Sequence, residues 1–489
     1  MKKVTTILLF FIIFIAASGQ GLSSVMDMPY PNAVKYLPAP PDSLSMAFAY
    51  DVHQYMYYKG LRDSERGQQA LTDVSYGSPY IANRMQDIFG LLASSPNYPN
   101  IRELLYTSLN YIAQSCGAAK SYYNRRRPFD RFNDPIFGSE TRNELLKTGS
   151  YPSAHSMCGW AAALVLAEIN PQVQDELFDS GYEYGQSRLI IGAHWQSDVD
   201  AARLMTSANF ARLHANEEYL AAVDKAQADY DEITLNTRPT ALDQLHPLVE
   251  FLPEMPDSTG SAYAYDVTAF YAGKQQRTAS RSQQAIADAD ISVTGISNAF
   301  SSILGIDITA SGTPKIYQLL ETGINQAISN CDNLQATQYR RAPYDRLRET
   351  PLLGTVSMTA LSCYPSEHAT VGWLSALLLM DICPTYQNTI LKRGYDYGES
   401  RVIAGTNWQS DVEAGQLLGG MVFANMMSDP SMRALLTQAR EEFNNISSIS
   451  TVTVEAPDTQ PTSYTLDGRI ATPDSHGVIV SSDGKKIMR

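Results

Sequence analysis

The sequence predicts an all-α protein made of two tandem helical domains and a short β-like C-terminal tail. Apolar residues recur at three- and four-residue spacing through most of the chain, and alternating strand patterns are nearly absent before the tail. Sequence segments also return at a fixed distance, which indicates a duplicated domain. At 489 residues the chain is too long for a single ordinary core.

The N-terminus has the pattern of a cleavable secretory signal over residues 1–19. A short basic segment precedes an apolar run from Val4 to Ala17, and Ala17 and Gly19 place small residues where signal peptidase requires them. A membrane anchor is the alternative, but the run is shorter than the roughly 20 residues needed to span a bilayer. We therefore expect a periplasmic or secreted protein whose mature chain has no membrane span.

The repeat gives the domain boundaries. Tyr36-Leu37-Pro38 returns as Phe251-Leu252-Pro253 at a spacing of 215, and Gly181–Gly185 returns as Gly394–Gly398 at a spacing of 213. We place the first domain at 36–232 and the second at 251–446.

Helical periodicity is clearest at three places in the first domain: Ile101–Cys116, Trp160–Ile169 and Asp198–His214. The apolar stretch Trp160–Ile169 predicts a buried core helix, which Asn170-Pro171 ends.

The tail, 447–489, has a different pattern from the repeats. Ser450–Val454 alternates, Val478–Val480 is strand-like, and Asp467-Gly468 and Asp483-Gly484 are typical of hairpin turns. We expect a small β appendage there, with a short disordered tail as the alternative.

The net charge limits the kinds of partner that this chain is expected to bind. A formal net charge of -14 argues against nucleic acid as a partner, so a cluster of Arg and Lys indicates a local anion site.

The chain has five cysteines, an odd number, so at least one cannot form an intrachain disulfide. In an exported chain Cys116 with Cys158 and Cys331 with Cys363 are candidate disulfides, and buried reduced thiols are the alternative.

The first candidate site segment contains Lys120 and Arg127. On one helix these residues are two turns apart and share a face, and Pro128 is expected to end that helix. Taken alone, this pattern is better explained by a solvated basic helix.

The second segment is Pro152-Ser153-Ala154-His155, which directly precedes an apolar run. Ser153 at a helix N-terminus would offer its hydroxyl and neighbouring backbone N–H groups to an anion, assisted by the helix dipole. An ordinary serine cap beside a histidine is the alternative.

The third segment joins Arg188 to His194 and Asp198. Gly192 permits a helix break, and His194 and Asp198 are four residues apart, hence neighbours on a helical face. A carboxylate on Nδ1–H of an imidazole fixes the tautomer and leaves Nε2 free to attack. Three weak signals in this order together indicate a phosphoryl-transfer site.

The three segments resemble the signature of the type 2 phosphatidic acid phosphatase superfamily, and the framing residues of the first repeat resemble the class A bacterial non-specific acid phosphatases. The resemblance implies an acid phosphatase acting on phosphate monoesters. It also implies the site roles. The attacking nucleophile is His194, oriented by Asp198, and the proton donor is His155. The phosphate-binding groups are Lys120, Arg127, Ser153, the amide of Ala154, and Arg188.

This chain departs from the family at Ala154, where glycine is usual. If that amide faced phosphate from a positive-φ backbone, alanine would strain the site and slow turnover. The resemblance implies no metal and no cofactor, because three cations already face the phosphate.

The second repeat lacks most of the residues that the predicted site uses. Gln335, Ala342 and Asn407 stand where the first repeat has Lys120, Arg127 and His194, and Glu367 replaces Ala154. We expect an inactive structural partner, packed on the first repeat as an intrachain pseudo-dimer because the family's subunits are homo-oligomeric; further homo-oligomerisation remains possible. The alternatives for the whole chain are a vanadate-dependent haloperoxidase and a non-catalytic phosphate-binding or scaffold protein.

Overall fold

The computed structural model describes residues 22–75, 77–235, 248–257, 259–353 and 362–450, together with three short strands in the tail. The predicted signal peptide at 1–19 lies outside the described residues. The described residues as far as Arg440 form one compact unit, and those from Glu441 onward belong to a second.

Helices make up the described part of the first repeat, as the sequence predicts. In chain order they are α1 (Ser23–Met26), α2 (Ala33–Tyr36), α3 (Met46–Lys59), α4 (Glu65–Thr72), α5 (Ser78–Arg84), α6 (Gln86–Phe89), α7 (Pro99–Ser115), α8 (Gly117–Tyr123), α9 (Pro128–Phe132), α10 (Arg142–Leu145), α11 (Ala154–Ile169), α12 (Gln174–Ile191), α13 (Gln196–His214) and α14 (Glu217–Thr234). A 3-10 turn at Pro171–Val173 separates α11 from α12.

The second repeat is built in the same way. Its helices are α15 (Ser261–Gln275), α16 (Ala279–Ala287), α17 (Val293–Leu304), α18 (Pro314–Thr337), α19 (Pro343–Leu347), α20 (Glu367–Ile382), α21 (Gln387–Ala404), α22 (Gln409–Met427) and α23 (Pro430–Ser450). A 3-10 turn at Pro384–Tyr386 lies between α20 and α21. The three helices α20, α21 and α22 begin and end 213 residues after α11, α12 and α13 respectively, so the duplication in sequence is a duplication of structure.

The core of each repeat is an apolar helix wrapped by its neighbours. In α11 every residue from Ser156 to Ile169 is buried, and the equivalent α20 is buried from Ala369 to Ile382. Apolar residues lie on all faces of both helices, which is the pattern of a helix at the centre of a bundle. The predicted core helix Trp160–Ile169 is thereby confirmed.

The two repeats contact each other through residues at equivalent positions. The ring of Tyr50 stacks on that of Tyr265 with centroids 5.2 Å apart and planes 4° apart. Phe210 meets Phe423 edge to face at 6.1 Å. Tyr265 follows Tyr50 by 215 residues and Phe423 follows Phe210 by 213. Contacts between equivalent positions are the signature of a two-fold, isologous arrangement.

One interface contact shows how the two halves have diverged. The indole N–H of Trp373 donates to the hydroxyl of Ser207 at 3.1 Å. The equivalent Trp160 has no hydrogen-bond partner for its indole N–H among the described residues. The residue equivalent to Ser207 is Gly420, and a Cβ at that position would lie 2.8 Å from the Cβ of Ser207. Close packing has therefore replaced one of the two hydrogen bonds.

The tail forms three antiparallel strands in the order β1 (Ser463–Thr465), β2 (Val478–Ser481) and β3 (Lys486–Met488). The strand predicted at Val478–Val480 is confirmed. The two predicted hairpin turns and residues 451–454 lie outside the described residues.

The cysteines are all buried and none forms a disulfide, so the predicted pairs Cys116–Cys158 and Cys331–Cys363 are wrong and the reduced-thiol alternative holds. Two of the thiols have other partners: Cys116 donates to the carbonyl of Ala113, and Cys331 donates to the hydroxyl of Thr370. Within the described part of the chain, no helix combines the length and the apolar character required to cross a membrane.

Candidate active site

The first site segment differs from the predicted single helix. Lys120 lies on α8, which ends at Tyr123, and Asn124 then adopts a left-handed conformation with φ 40°. Arg127 caps α9, and Pro128 is the first residue of that helix instead of the last of the preceding one. Proline suits a first helical position because its missing N–H has no acceptor there and its φ is already helical. The prediction that Pro128 ends a helix through Lys120 and Arg127 is wrong.

The two cations nevertheless meet at the same place. The ammonium of Lys120 donates to the carbonyl of Gly149 at 2.9 Å, and the guanidinium of Arg127 donates to the same oxygen at 3.3 Å. Both side chains are buried, and burial together with their mutual repulsion lowers the pKa of Lys120 to about 8. Burial and Arg188 lower the pKa of Arg127 to about 10, against an opposing effect of Asp198. Two crowded buried cations of this kind favour an anion beside them.

His194 follows the break that Gly192 makes at the end of α12, where φ is 86°. The Nη1 of Arg127 lies 3.1 Å from Nε2 of His194, and Nδ1 of His194 lies 3.4 Å from Oδ2 of Asp198. A guanidinium has only donors, so Nε2 must carry the lone pair and Nδ1 the proton. Burial and the charge of Arg127 hold the pKa of His194 well below its usual value, against the pull of Asp198. This tautomer is the one that a nucleophilic Nε2 requires.

Asp198 is held from several sides at the start of α13. Its Oδ2 accepts the backbone N–H of Trp195 at 2.9 Å, and its Oδ1 accepts from Arg125 at 2.5 Å. Burial alone would raise the pKa of Asp198, but the charge of Arg125 and the hydrogen bond to His194 hold it well below its usual value. The carboxylate therefore stays ionised and can stabilise a positive charge on the imidazole.

The second segment forms the N-terminus of α11. Ser153 caps the helix, with its hydroxyl accepting from the backbone of Ser156, and its own N–H donates to the carbonyl of Asp198 at 3.0 Å. Ala154 is the first helical residue, and its backbone is not among the described positive-φ positions. The strain expected from alanine at this position is therefore absent, and with it the reason to expect slow turnover.

His155 lies next along α11 and is partly exposed. Burial of the ring and the positive charge of Arg188 hold its pKa well below the usual value, and a hydrogen bond to the backbone of Val74 opposes that effect. His155 in the ligand-free site therefore takes up a proton less readily than a free imidazole. A bound phosphoryl dianion would reduce the part of this effect that comes from the charge of Arg188.

Arg188 is 0% exposed and its Nη2 donates to the carboxylate of Glu140 at 2.6 Å. Nε and Nη1 of Arg188 have no hydrogen-bond partner among the described residues. The contacts and charge effects described above link seven of the eight predicted residues to one another, and Ala154 lies between two of them on α11: Lys120, Arg127, Ser153, His155, Arg188, His194 and Asp198. In the described residues, no group of three or more His, Cys, Asp or Glu side chains is arranged to hold a metal ion.

Comparison with known proteins agrees with this geometry. Residues 103–214 match the family model described as the PAP2 superfamily. The non-specific acid phosphatase of Providencia stuartii is 40% identical over 205 residues, which is 41% of this chain and 82% of that protein. The non-specific acid phosphatase of Salmonella typhimurium is 36% identical over 232 residues, 46% of this chain and 92% of that protein. The acid phosphatase of Zymomonas mobilis is 32% identical over 197 residues, 40% of this chain and 75% of that protein.

The chain belongs to the class A non-specific acid phosphatases of the PAP2 superfamily. The resemblance predicted from the three segments is confirmed, and the enzyme is a phosphoric monoester hydrolase. Each of these three relatives matches less than half of this acid phosphatase.

A buried ion network behind the acid phosphatase site was missed by the sequence analysis. Arg125 bridges Asp198 to Asp51, with its Nη2 2.6 Å from Oδ2 of Asp51. Ser197 donates both its N–H and its hydroxyl to Asp51. The sequence signal was present, because the second repeat keeps Arg340 and Asp266 at the equivalent positions, 215 residues later.

The second repeat preserves that network while the site in front of it has changed. Arg340 contacts both Asp266 and Asp411, as Arg125 does in the first repeat. Asn407, at the position of His194, donates to the carbonyl of Cys363 at 2.9 Å. Burial raises the pKa of Asp411 to about 7 despite Arg340, whereas the equivalent Asp198 is held low. The network is thus part of the fold, and what differs is the charge in front of it.

Proposed function

We propose that the first repeat hydrolyses phosphate monoesters through a phosphohistidine formed on His194. The observation that carries the proposal is the position of the His194 ring, because Nε2 lies 3.1 Å from Arg127 and Nδ1 lies 3.4 Å from Asp198. This arrangement favours the tautomer with an unprotonated Nε2. Nε2 then attacks phosphorus as the bond to the leaving oxygen breaks, and Asp198 stabilises the positive charge that the ring gains. Water in turn displaces the histidine and releases inorganic phosphate.

His155 supplies the proton to the leaving oxygen and later takes one from water. Burial and the nearby cations lower the pKa of His155 in the ligand-free site. A phosphoryl dianion offsets the charges of Arg127 and Arg188, and this raises the pKa of His155 when it is needed. Substrate binding therefore raises the protonated fraction of His155, which is the form that can act as general acid.

Five groups stabilise the equatorial oxygens, where most transition-state charge is found. The side chains are Lys120, Arg127, Arg188 and Ser153, and the fifth group is the backbone amide of Ala154. In the ligand-free structure Lys120 and Arg127 donate hydrogen bonds to backbone carbonyls. By contrast, Nε and Nη1 of Arg188 have no hydrogen-bond partner among the described residues. The resulting mechanism needs no metal.

The second repeat, in this proposal, does no chemistry. An amide at Asn407 cannot form a phosphoenzyme, and Gln335 and Ala342 remove two of the three cations. Glu367 adds a carboxyl group at the helix N-terminus where phosphate would bind. Electrostatics and covalent chemistry therefore both oppose turnover there.

We assign the second repeat a structural role as the fused partner of a pseudo-dimer, with domains at 36–232 and 251–446. The stacked Tyr50 and Tyr265 and the paired Phe210 and Phe423 support this assignment, since each pair joins equivalent positions. The N-terminal segment 1–19 supports export to the periplasm or beyond, where phosphate monoesters are the expected substrates.

The test is hydrolysis of a chromogenic phosphomonoester between about pH 4 and pH 8, with and without a chelator. We expect activity that is highest below neutrality, unaffected by the chelator and inhibited by vanadate. Rapid quenching of the wild-type enzyme with labelled substrate should trap a phosphoenzyme that His194→Ala cannot form. Strong inhibition by the chelator, or a labelled His194→Ala protein, would overturn the mechanism.

A further inference from the structure

Glu140 places a carboxylate where the acid phosphatase needs to bind an anion. Its Oε2 is 2.6 Å from Nη2 of Arg188, and its side chain is only 16% exposed. Glu140 also raises the pKa of Arg127 by its charge, although burial keeps that pKa below the ordinary value. One carboxylate therefore acts on two of the three cations assigned to the phosphoryl oxygens.

The segment that carries Glu140 is fastened at both ends. Before it, the N–H of Phe137 donates to the carbonyl of Ile191 at 3.1 Å. After it, Thr141 and Glu144 form a reciprocal capping box at the start of α10. Only residues 138–140 lie between these anchors, so the carboxylate has a short tether and a defined position.

Gly138 sets the direction of that tether. Its φ of 112° belongs to the region that favours glycine, and a Cβ there would lie 3.2 Å from Val74 and 3.3 Å from Leu71. The backbone turns at this glycine against the apolar side chains below it. Glu140 is thereby directed to Arg188 instead of to solvent.

Carboxylate and phosphoryl oxygens are interchangeable partners for a guanidinium, because both accept charge-assisted N–H···O bonds. A buried guanidinium without any counter-ion is strongly unfavourable, so Arg188 needs a negative partner when the site is empty. Glu140 meets that need in the ligand-free enzyme. A substrate phosphoryl group arriving at Arg188 meets a carboxylate that repels it.

We propose that Glu140 is a built-in competitor of phosphate, which holds Arg188 in the free enzyme and yields it to the phosphoryl group on binding. This proposal rests on the proposed function, because it takes Arg188 as a phosphate ligand. Its consequence is a weaker affinity for both substrate and inorganic phosphate than the three cations alone would give. The enzyme gains faster product release, since Glu140 returns to Arg188 as phosphate leaves.

The test measures the dissociation constants of inorganic phosphate and orthovanadate in the full-length enzyme and in Glu140→Gln. Glutamine has nearly the same shape and removes one negative charge, so phosphate should bind about tenfold more tightly. The inhibition constant of phosphate and the KM for substrate should fall by a similar factor. A role for Glu140 in merely shaping the site predicts the opposite, a loss of affinity in Glu140→Gln.

Glu144→Gln is the matched control, because it removes the same charge four residues away and glutamine at this position still completes the capping box. It should leave phosphate affinity and melting temperature unchanged, whereas Glu140→Gln should melt below the wild type without phosphate, because Arg188 loses its counter-ion, and should recover when phosphate is added. Arg188→Ala separates this proposal from the proposed function. If Arg188→Ala binds phosphate as the wild type does, the assigned site is wrong. If it loses phosphate while Glu140→Gln binds no more tightly than wild type, only the competitor proposal is overturned.

Discussion

Asp200 and Glu413 hold equivalent positions in the two repeats, and both line one cavity of about 500 Å³ between them. Partial burial raises the pKa of Asp200 to about 6, although its side chain is 40% exposed and Arg203, 2.8 Å from its Oδ1, opposes the shift. Burial and the negative charges of Asp200 and Asp266 raise the pKa of Glu413 well above its usual value. The second repeat has Gln416 where the first has Arg203, so Glu413 lacks the matching cation.

This pair predicts a stability that falls as pH rises. Both carboxyl groups have a higher pKa in the folded protein, so between about pH 4 and pH 6 the folded state binds more protons than the unfolded state. Their contribution to the unfolding free energy is fully present below about pH 4 and is lost as pH increases through their folded pKa values. The charged and titratable groups around the pair belong to several elements: Asp51, Tyr50, Tyr182, Asp198, Arg203, Tyr265, Asp266 and Glu399.

Glu413→Gln should therefore flatten the pH dependence of stability. We expect it to raise the melting temperature at pH 7 and to change it little at pH 4, because the variant removes the charge that the interface disfavours. Exposed Glu321→Gln is the control and should follow the wild type at both pH values. A Glu413→Gln protein that loses stability equally at both pH values would show that its hydrogen bond from Tyr265, at 3.0 Å, matters more than its charge.

The equivalent histidines of α11 and α20, His155 and His368, give a paired test of general-acid catalysis. His155→Ala should slow alkyl phosphates by about a hundredfold or more, because a poor leaving group needs the proton. Activated aryl phosphates should be affected far less. His368 is the control, since it occupies the equivalent position and hydrogen-bonds to the carbonyl of Ala289 at 3.1 Å. His368→Ala should leave both substrates unaffected, and an equal loss on aryl and alkyl esters in His155→Ala would exclude His155 as the acid.

The duplicated ion network allows its structural and catalytic parts to be separated. Arg125→Gln leaves Asp51 and Asp198 buried without their cation, which should cost about 3 to 5 kcal/mol of unfolding free energy. Arg340→Gln should cost a similar amount in the second repeat, where Asp266 and Asp411 lose theirs.

Only Arg125→Gln should alter the chemistry. Its kcat should fall by about a hundredfold, because Asp198 no longer holds His194 in place. The acidic limb of its pH–rate profile should also move to higher pH, because the charge of Arg125 helps to keep the pKa of Asp198 low. A normal profile and a normal kcat in a folded Arg125→Gln protein would show that Arg125 is purely structural.

The sequence was sufficient where chemistry or periodicity is local. The pairing of His194 with Asp198, four residues apart, and the Ser153 cap follow from spacing, and the end of α11 at Ile169 follows from Asn170-Pro171. It was insufficient where the partner is distant. Arg125 lies 74 residues from Asp51, and Glu140 lies 48 residues from Arg188. Side-chain pairs of that kind depend on how the helices pack, so no local sequence pattern predicts them.

The break between Lys120 and Arg127 shows a second limit. Proline reads as a helix terminator when it follows a helical pattern, yet it is also the favoured first residue of a helix. The sequence around Pro128 fits both, and only the left-handed Asn124 decides between them. The cysteines were ambiguous for a similar reason, because an exported chain permits disulfides without requiring them.

The final prediction concerns the second site. His194→Ala should abolish turnover of the whole chain, and adding Asn407→His to that variant should not restore it. Gln335 and Ala342 still leave the site without two cations, and burial raises the pKa of Asp411 to about 7, so at mildly acidic pH it is largely protonated and cannot stabilise a charged imidazole. Hydrolysis and phosphoenzyme labelling of the single and double variants measure this directly. Turnover by a folded His194→Ala protein, or its recovery on adding Asn407→His, would show that the second repeat retains a working site.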